Sequence, residues 1–251
     1  MSVTVGIVCL NAAPSIADAI DSVVAQIDDV HQLVIVDGGS GDGTIDIIAA
    51  AESRLAGKLA WVSEPDGGIY DAMNNALARA TASHVLFLGA DDLLGEGALR
   101  SILDVGTEPD LIYGDAHVVQ RDGRRQLRRA VEVPRLVSGI PWTMPNCHQA
   151  CVFSADAYRR LEGFNTRFRI AGDYEFYLRF FAANLTSVRV CASVTDYALQ
   201  GVSSRSGLAT ADEYRLARVM NGMSPTLARA FMLRSLLYWN LARAVRTVRH
   251  S

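Results

Sequence analysis

Four aspartates in the first hundred residues stand at or just beyond the ends of short apolar runs. Asp37 follows Gln32–Val36, Asp66 follows Leu59–Ser63 by two residues, and the adjacent pair Asp91 and Asp92 follows Val85–Leu88 after a Gly-Ala step. A carboxylate at such a position can accept hydrogen bonds from a nucleobase N–H or from ribose hydroxyls. Two side by side repel unless water, backbone N–H groups or a divalent cation compensates them, and against a diphosphate such a pair suits Mg²⁺ or Mn²⁺. Plainer roles suit the same residues: Asp91 or Asp92 as N-cap of a helix beginning near Glu96, and Asp37 and Asp66 as turn residues beside glycine. A fifth aspartate, Asp173, precedes a helical stretch. It suits either a general base or a plain N-cap.

The intervening segments explain how these residues would meet. Val3–Cys9, Gln32–Val36, Leu59–Ser63 and Val85–Leu88 are dense apolar runs of strand length. Runs of that kind are buried on both faces of a parallel sheet. Helical patterns separate them: Ser15 to about Gln26, a stretch capped by Thr44 or Asp42, and Ile69–Ala80. Strand, loop and helix repeating at this spacing define an α/β sheet with parallel strands, whose ligands bind off the carboxyl ends of the strands. After Asp92 the pattern changes. A helix near Glu96–Asp104, strand-like Leu111–Asp115, a hairpin of His117–Gln120 and Gln126–Val131 around Asp122-Gly123, a strand over His148–Phe153, helices over Ala155–Leu161 and Tyr174–Ala183, and a strand over Ser187–Tyr197 read as a mixed second half. Two helices follow from Ala209, broken near Gly222 and Pro225.

The chain has 251 residues, half of them apolar, with a net charge of −3. That is enough for one large α/β domain with a helical appendage, and it carries no electrostatic footprint for nucleic acid. No secretory leader precedes Val3 and no run long enough to span a membrane occurs, which predicts a cytoplasmic, reduced protein. The glycine-rich stretch Gly38-Gly39-Ser40-Gly41-Asp42-Gly43 fits neither a dinucleotide fingerprint nor a Walker loop. Cys147, His148, Cys151 and Cys191 match no strong zinc spacing.

Five segments in order, V-D-G-G-S-G-D-G-T (Val36–Thr44), S-E-P-D-G-G-I-Y-D-A-M-N-N-A (Ser63–Ala76), G-A-D-D (Gly89–Asp92), C-H-Q-A-C (Cys147–Cys151) and G-F-N-x-x-F-x-I-A-G-D-Y-E-F (Gly163–Phe176), resemble the family 2 inverting glycosyltransferases. The resemblance runs from Val3 to about Ser204. Its second segment is similar to a bacterial subgroup that builds surface polysaccharides and glycolipids, colanic-acid and phenolic-glycolipid transferases among them.

The resemblance implies a Rossmann-like, nucleotide-sugar-binding fold of the GT-A type, with residues 1–115 as the nucleotide-sugar half, 116–204 as the acceptor half and 205–251 as C-terminal helices. It implies that Asn11, Asp37, Asp66 and Asp91 contact the donor, and that Asp92 holds Mn²⁺ or Mg²⁺. Asp173 is implied as the general base, and His148, Gln149, Trp142 and Arg205 as lining the acceptor or diphosphate side. Cys9-Leu10-Asn11 departs from the family's usual first-strand end, where Thr or Pro with Tyr precedes Asn. The implied reaction moves a sugar from a UDP- or dTDP-sugar to a hydroxyl of a glycan or glycolipid precursor, with inversion. The chemistry suits the residues: a carboxylate base for the acceptor hydroxyl, and a divalent cation in place of a general acid for a diphosphate leaving group. The helix dipole is expected to lower the pKa of Asp173. Two alternatives share the fold. A nucleotidyltransferase wants a basic first loop, and Cys9–Ser15 has no Lys or Arg. A non-catalytic nucleotide-sugar sensor or scaffold would lack the base or the aspartate pair, and both are present.

Two charged regions remain. Arg121, Arg124, Arg125, Arg128 and Arg129 crowd the hairpin, as a solvated face or a partner for anions. Ser224–Ser251 carries five arginines, no acid and an apolar middle. Such a helix needs cover: the domain itself, a second copy in a homodimer, or peripheral contact with the inner face of a membrane.

Overall fold

The computed structural model describes residues 1–120, 122–132, 144, 146–198 and 207–249. The alternation of apolar runs and amphipathic stretches is realised as β1 (Val3–Cys9), α1 (Ile16–Val24), β2 (Gln32–Asp37), α2 (Thr44–Ala51), β3 (Leu59–Ser63), α3 (Ile69–Arg79) and β4 (His84–Gly89). These four strands are parallel, in the order β3-β2-β1-β4. Their carboxyl ends therefore share one edge, which carries Asp37, Asp66, Asp91 and Asp92.

Beyond β4 the sheet becomes mixed. β8 (Cys151–Ser154) runs antiparallel to both β4 and β6 (Leu111–Val119), and β9 (Ser187–Ala198) lies parallel to β6. β7 (Arg125–Arg128) pairs with β6 across the Asp122-Gly123 turn. The sequence reading split β6 in two; it is one strand whose register shifts beside Asp115. A short strand absent from that reading, β5 (Leu93–Leu94), follows the aspartate pair and joins β9 antiparallel, Leu93 opposite Asp196. The neighbouring Gly95 is packed against the Ser193 carbonyl so closely that a Cβ has no room, and its N–H donates to the Val194 carbonyl at 2.8 Å. The remaining helices are α4 (Ala98–Leu103), α5 (Ala155–Arg160), α6 (Gly172–Ala182), α7 (Leu208–Met220) and α8 (Pro225–Arg249).

Alternate side chains of each central strand face opposite ways, and both faces are buried. Val5, Ile7, Ile35, Leu86 and Leu88 pack with Ile16, Ile20 and Val23 of α1 and Leu99 of α4. On the other face Val34, Val36 and Phe87 pack with Tyr70 and Met73 of α3, Phe153 of β8 and Phe176 and Phe180 of α6. Removal of these side chains from water is the main favourable term in folding. It also makes the sheet edge rigid enough to carry a site.

Three sequence expectations need correction here. His148–Phe153 is a 3₁₀ turn, His148–Ala150, followed by β8, so His148 is not on a strand. Neither Asp91 nor Asp92 caps a helix, because β5 intervenes and Gly97 stands at the N-cap of α4 with φ of 65°. The helix carrying Asp173 begins at Gly172 with Ala171 as its N-cap, so Asp173 is not a plain N-cap.

Candidate active site

The first two βα loops are stitched together before any ligand is considered. Asn11, at φ 52°, accepts from the Gly41 N–H at 3.1 Å, and its own N–H donates to Ser40 Oγ at 2.7 Å. The Ala12 N–H donates to Thr44 Oγ1, and the Ala13 N–H to Asp42, which also accepts from the Thr44 N–H at the start of α2. Asp37 lies beneath this loop, fully buried. Its carboxylate accepts from the N–H groups of Gly39 (3.1 Å) and Ser40 (2.8 Å), from the hydroxyls of Ser40 and Ser63, and from Cys9 Sγ at 3.6 Å. Burial alone would raise its pKa. The Ser40 and Ser63 hydroxyls and the two N–H groups outweigh that and hold it below the usual carboxylate value. Asp37 is thus the brace of the loop, and a nucleotide could reach it only by displacing one of these donors. Asp66 is its more accessible neighbour. It accepts from the Gly68 N–H at 2.8 Å, and its other oxygen lies over Gly38, where an added Cβ would come within 2.8 Å.

At the end of β4, Asp91 is exposed and Asp92 buried. Both carboxylates close over Gly89: a Cβ there would run into Asp92 Oδ2 and lie 3.1 Å from Asp91 Oδ1. The β5–β9 pairing delivers Ala198 to this point, and its N–H donates to Asp92 Oδ1 at 2.8 Å. Gln149 adds a side-chain hydrogen bond to Asp92, and its own Oε1 accepts from Cys147 Sγ at 3.1 Å. Burial, with the Asp91 charge beside it, pushes Asp92 up to about 7. A buried carboxylate with a like neighbour and a raised pKa is the donor set that a divalent cation stabilises. Among the described residues no cluster of three or more His, Cys, Asp or Glu is poised around a metal, so the aspartates would need ligands from a bound diphosphate or water. The drawn-together cysteine and histidine set does not form a zinc site: Cys191 is exposed, Cys151 Sγ lies 2.6 Å from the Tyr177 hydroxyl, and Cys147 is committed to Gln149.

Asp173 sits in the first turn of α6, half-buried, and its Oδ1 accepts from the Tyr174 N–H at 2.7 Å and faces the Tyr70 hydroxyl at 3.3 Å. Tyr70 also donates to the Ile170 carbonyl at 2.8 Å, and a Cβ on Gly172 would press on its ring. One turn further along α3, Asn74 bonds both the N–H and the carbonyl of Phe164 at 2.8 Å. The segment Gly163–Asp173 is therefore held by two α3 side chains one turn apart, so Asp173 stands at the same sheet edge as the other aspartates. Tyr70 itself lies in the first turn of α3, four residues after Asp66, which ties Asp173 to that edge. The dipole expectation for Asp173 fails. Burial dominates and lifts its pKa to about 6. Glu175, the other carboxylate in this turn, is buried and paired with Arg179 at 2.7 Å, away from the site.

His148 does not line the acceptor or diphosphate side as the resemblance implied. Its ring is buried among Phe87, Phe153 and Phe164, with no hydrogen-bond partner on either nitrogen among the described residues, and burial lowers its pKa to about 4. Trp142 and Arg205, and Arg121 of the hairpin, lie outside the described residues. Sequence reasoning missed Tyr70 and Asn74 as supports, and the i, i+4 spacing of the two on one helix face was the available signal; Gln149, expected on the acceptor or diphosphate side, bonds Asp92.

A parallel sheet with helices on both faces, a mixed extension and carboxylates at one edge defines the class of α/β proteins that bind ligands off the carboxyl ends of their strands. Comparison with known proteins makes this specific. Residues 4–171 match the model of glycosyl transferase family 2, and the chain belongs to that family. It is 31% identical over 252 residues to a PGL/p-HBAD biosynthesis glycosyltransferase of Mycobacterium bovis, covering 93% of this chain and 95% of that one. Among solved structures it is similar to S. aureus TarS residues 1–349 in complex with UDP-GlcNAc, at a TM-score of 0.70 and 16% identity over 94% of this chain and 72% of that one. It is also similar to the mannosyltransferase PcManGT of Pyrobaculum calidifontis in complex with GDP-Man and Mn²⁺, at a TM-score of 0.64 and 19% identity over 99% and 79%. The protein is a glycosyltransferase with the GT-A fold.

Proposed function

We propose that this chain is an inverting, divalent-metal-dependent transferase that moves a sugar from a UDP- or dTDP-sugar to a hydroxyl of a glycan or glycolipid precursor. The observation that supports this reading is the contact of Asp173 with Tyr70, in the first turn of α3 four residues after Asp66, on the sheet edge where Asp91 and Asp92 follow β4. Asp66, with the Asn11 and Asp37 loop behind it, would take the nucleoside. Asp92, with Asp91 beside it, would hold Mn²⁺ or Mg²⁺, which when bound offsets the charge of the diphosphate.

In the transfer itself the acceptor hydroxyl attacks the anomeric carbon. The new C–O bond forms as the bond to the diphosphate breaks, and the hydroxyl proton passes to the Asp173 carboxylate. A base with a pKa of about 6 is mostly ionised at neutral pH yet basic enough to take that proton. Tyr70 and the Tyr174 N–H fix the carboxylate's orientation before substrate arrives. Similarity to a mycobacterial PGL/p-HBAD biosynthesis glycosyltransferase supports a glycolipid acceptor.

The test is a thermal-shift panel of nucleotide sugars with and without Mn²⁺, followed by release of nucleoside diphosphate for any donor that binds. A donor that binds only the native state raises the midpoint by mass action. A shift that needs both one donor and the metal is the expected result. A donor that binds without metal, and turns over equally in the presence of a chelator, would remove the metal from the scheme. Binding with no turnover by any acceptor would favour a sensor.

A further inference from the structure

We infer that Asp196 of β9 is a positioning residue for the aspartate pair: held by Arg125 and His117, it fixes the strand that carries the Ala198 N–H to Asp92. β5, directly after the pair, consists of Leu93 and Leu94 alone, opposite Asp196 and Thr195. Thr195 Oγ1 donates to the Leu93 carbonyl at 3.0 Å, the Gly95 N–H to the Val194 carbonyl at 2.8 Å, and the Ala198 N–H to Asp92 Oδ1 at 2.8 Å. Val194, Thr195, Asp196 and Ala198 thus hold residues 92–95. From α1 the Ser22 hydroxyl adds one bond, accepting the Leu94 N–H at 3.0 Å. A segment with so few bonds of its own takes its position from the strand it is paired to.

A side chain pins β9 at this point. The β6–β9 ladder is irregular beside Asp115, where its register shifts. Asp196 ties the strand down beyond that irregularity. Its carboxylate accepts from the Arg125 guanidinium, and its Oδ1 lies 3.2 Å from His117 Nδ1, which is itself 2.9 Å from Ser193 Oγ. His117 stands opposite Asp196 on β6, and Arg125 of β7, Val119 of β6 and Ala198 of β9 share one row across the sheet. One carboxylate therefore fastens β9 to β6 and β7, two residues before the N–H that reaches Asp92.

Asp196 acts through Ala198 and not on substrate: its side chain is 11% exposed and committed to its two partners. Arg125 is 56% exposed, so its removal leaves no cavity in the core. An exposed ion pair contributes little to stability. Loss of a partner that orients metal-binding carboxylates costs roughly ten- to a hundredfold in metal affinity. Effects on metal binding and on stability are therefore separable. The consequence for metal rests on the proposed role of Asp92, whereas the brace itself does not.

The experiment measures Mn²⁺ binding to the full chain in the presence of UDP, from the loss of the free Mn²⁺ paramagnetic resonance signal, beside the metal-free thermal midpoint. Asp196→Ala should weaken Mn²⁺ binding by about tenfold. Arg125→Ala should weaken it by about threefold with the midpoint close to wild type, and it carries the test should Asp196→Ala not fold. Arg125→Lys, which keeps the charge, should bind Mn²⁺ more tightly than Arg125→Ala. Unchanged Mn²⁺ binding in every folded variant overturns the inference. Weaker binding in Asp196→Ala alone, matched by a fallen midpoint, makes Asp196 a structural residue and overturns it as well. A wild type that binds no Mn²⁺ with UDP removes the metal from Asp92, and amide exchange at Ala198 then decides the brace: faster exchange in Arg125→Ala than in wild type supports it, and equal exchange overturns it.

Discussion

Glu213 of α7 holds Ala171: its Oε2 accepts the Ala171 N–H at 2.8 Å, and the Ile170 N–H at the same distance, with the Arg169 N–H at 3.1 Å from Oε1. One carboxylate from α7 thereby collects three consecutive backbone donors just before Asp173. It completes the clamp that Tyr70 and Asn74 make from α3. Glu213→Ala leaves those donors without that partner and frees the loop. We expect kcat to fall by about tenfold to a hundredfold, with the KM for donor little changed, because misplacing a base by about an ångström costs that much. Glu213→Gln keeps the acceptor oxygen but removes the charge, which contributes to the raised pKa of Asp173. Its acid limb should therefore move to lower pH while its Tm stays closer to wild type than that of Glu213→Ala. A pH profile of both variants checks this; identical acid limbs for wild type and Glu213→Gln would show that the charge has no reach to the base.

Asp173→Asn separates catalysis from stability. Transfer should fall by about a hundredfold to ten-thousandfold, the usual contribution of a general base. The folded-state pKa, about 6, lies above the ordinary value of 3.8, so burial penalises the ionised form. The penalty is absent below the unfolded value of 3.8, builds up as pH rises between the two values and is complete above about pH 6. The asparagine variant should accordingly gain stability relative to wild type at about pH 8, and gain less at about pH 5. Calorimetry at the two pH values, with wild-type activity rising through about pH 6, is the check. A loss of Tm at about pH 8 would mark Asp173 as a structural residue instead.

Gly89→Ala tests the aspartate pair without touching either carboxylate. An added Cβ would collide with Asp92 Oδ2 and press on Asp91 Oδ1, so both groups must turn. Disturbed support of metal-binding carboxylates costs roughly ten- to a hundredfold in metal affinity or activity. The expected outcome is a Mn²⁺ activation curve displaced to higher metal by about that factor. Donor-free thermal stability should change much less than the metal response. A variant with an unaltered activation curve would move the metal away from Asp92.

The sequence made much of this edge legible and hid the rest for physical reasons. Val3–Cys9, Gln32–Val36 and Val85–Leu88 announce buried parallel strands because burial on both faces leaves an unbroken apolar run, and the aspartates after them must then share an edge. β5 escaped because two residues have no periodicity. His148 was misjudged because an imidazole beside Gln149 carries no local sign that it is enclosed by Phe87, Phe153 and Phe164. The pKa of Asp173 runs against the expectation because the helix dipole is a local effect, whereas burial in the tertiary fold desolvates the carboxyl by more than the hydrogen bonds from the Tyr174 N–H and Tyr70 offset. Glu213 lies 42 residues from the N–H of Ala171 that it accepts, and no pattern within α7 announces that partnership.

Asp37 should leave its mark on acid stability more than on turnover chemistry. Its carboxylate gathers donors from Gly39, Ser40, Ser63 and Cys9 while fully buried, and the hydrogen bonds outweigh burial to hold its pKa below the usual value. A depressed folded-state pKa contributes stability that is present above the unfolded value of about 3.8 and is lost as pH falls through the folded one. Asp37→Asn can keep a carbonyl oxygen for the Gly39 and Ser40 N–H groups but puts an NH2 where the carboxylate accepted from Ser40 Oγ and Cys9 Sγ, and removes the charge that strengthens these bonds, so at neutral pH it should destabilise by about 1–3 kcal/mol. Its stability should then fall less steeply than that of wild type on acidification below about pH 4. Urea titrations across that range measure both effects. Parallel acid dependence in the two proteins would mean that Asp37 is already protonated in the fold, and its role as the ionised brace of the first two loops would have to be abandoned.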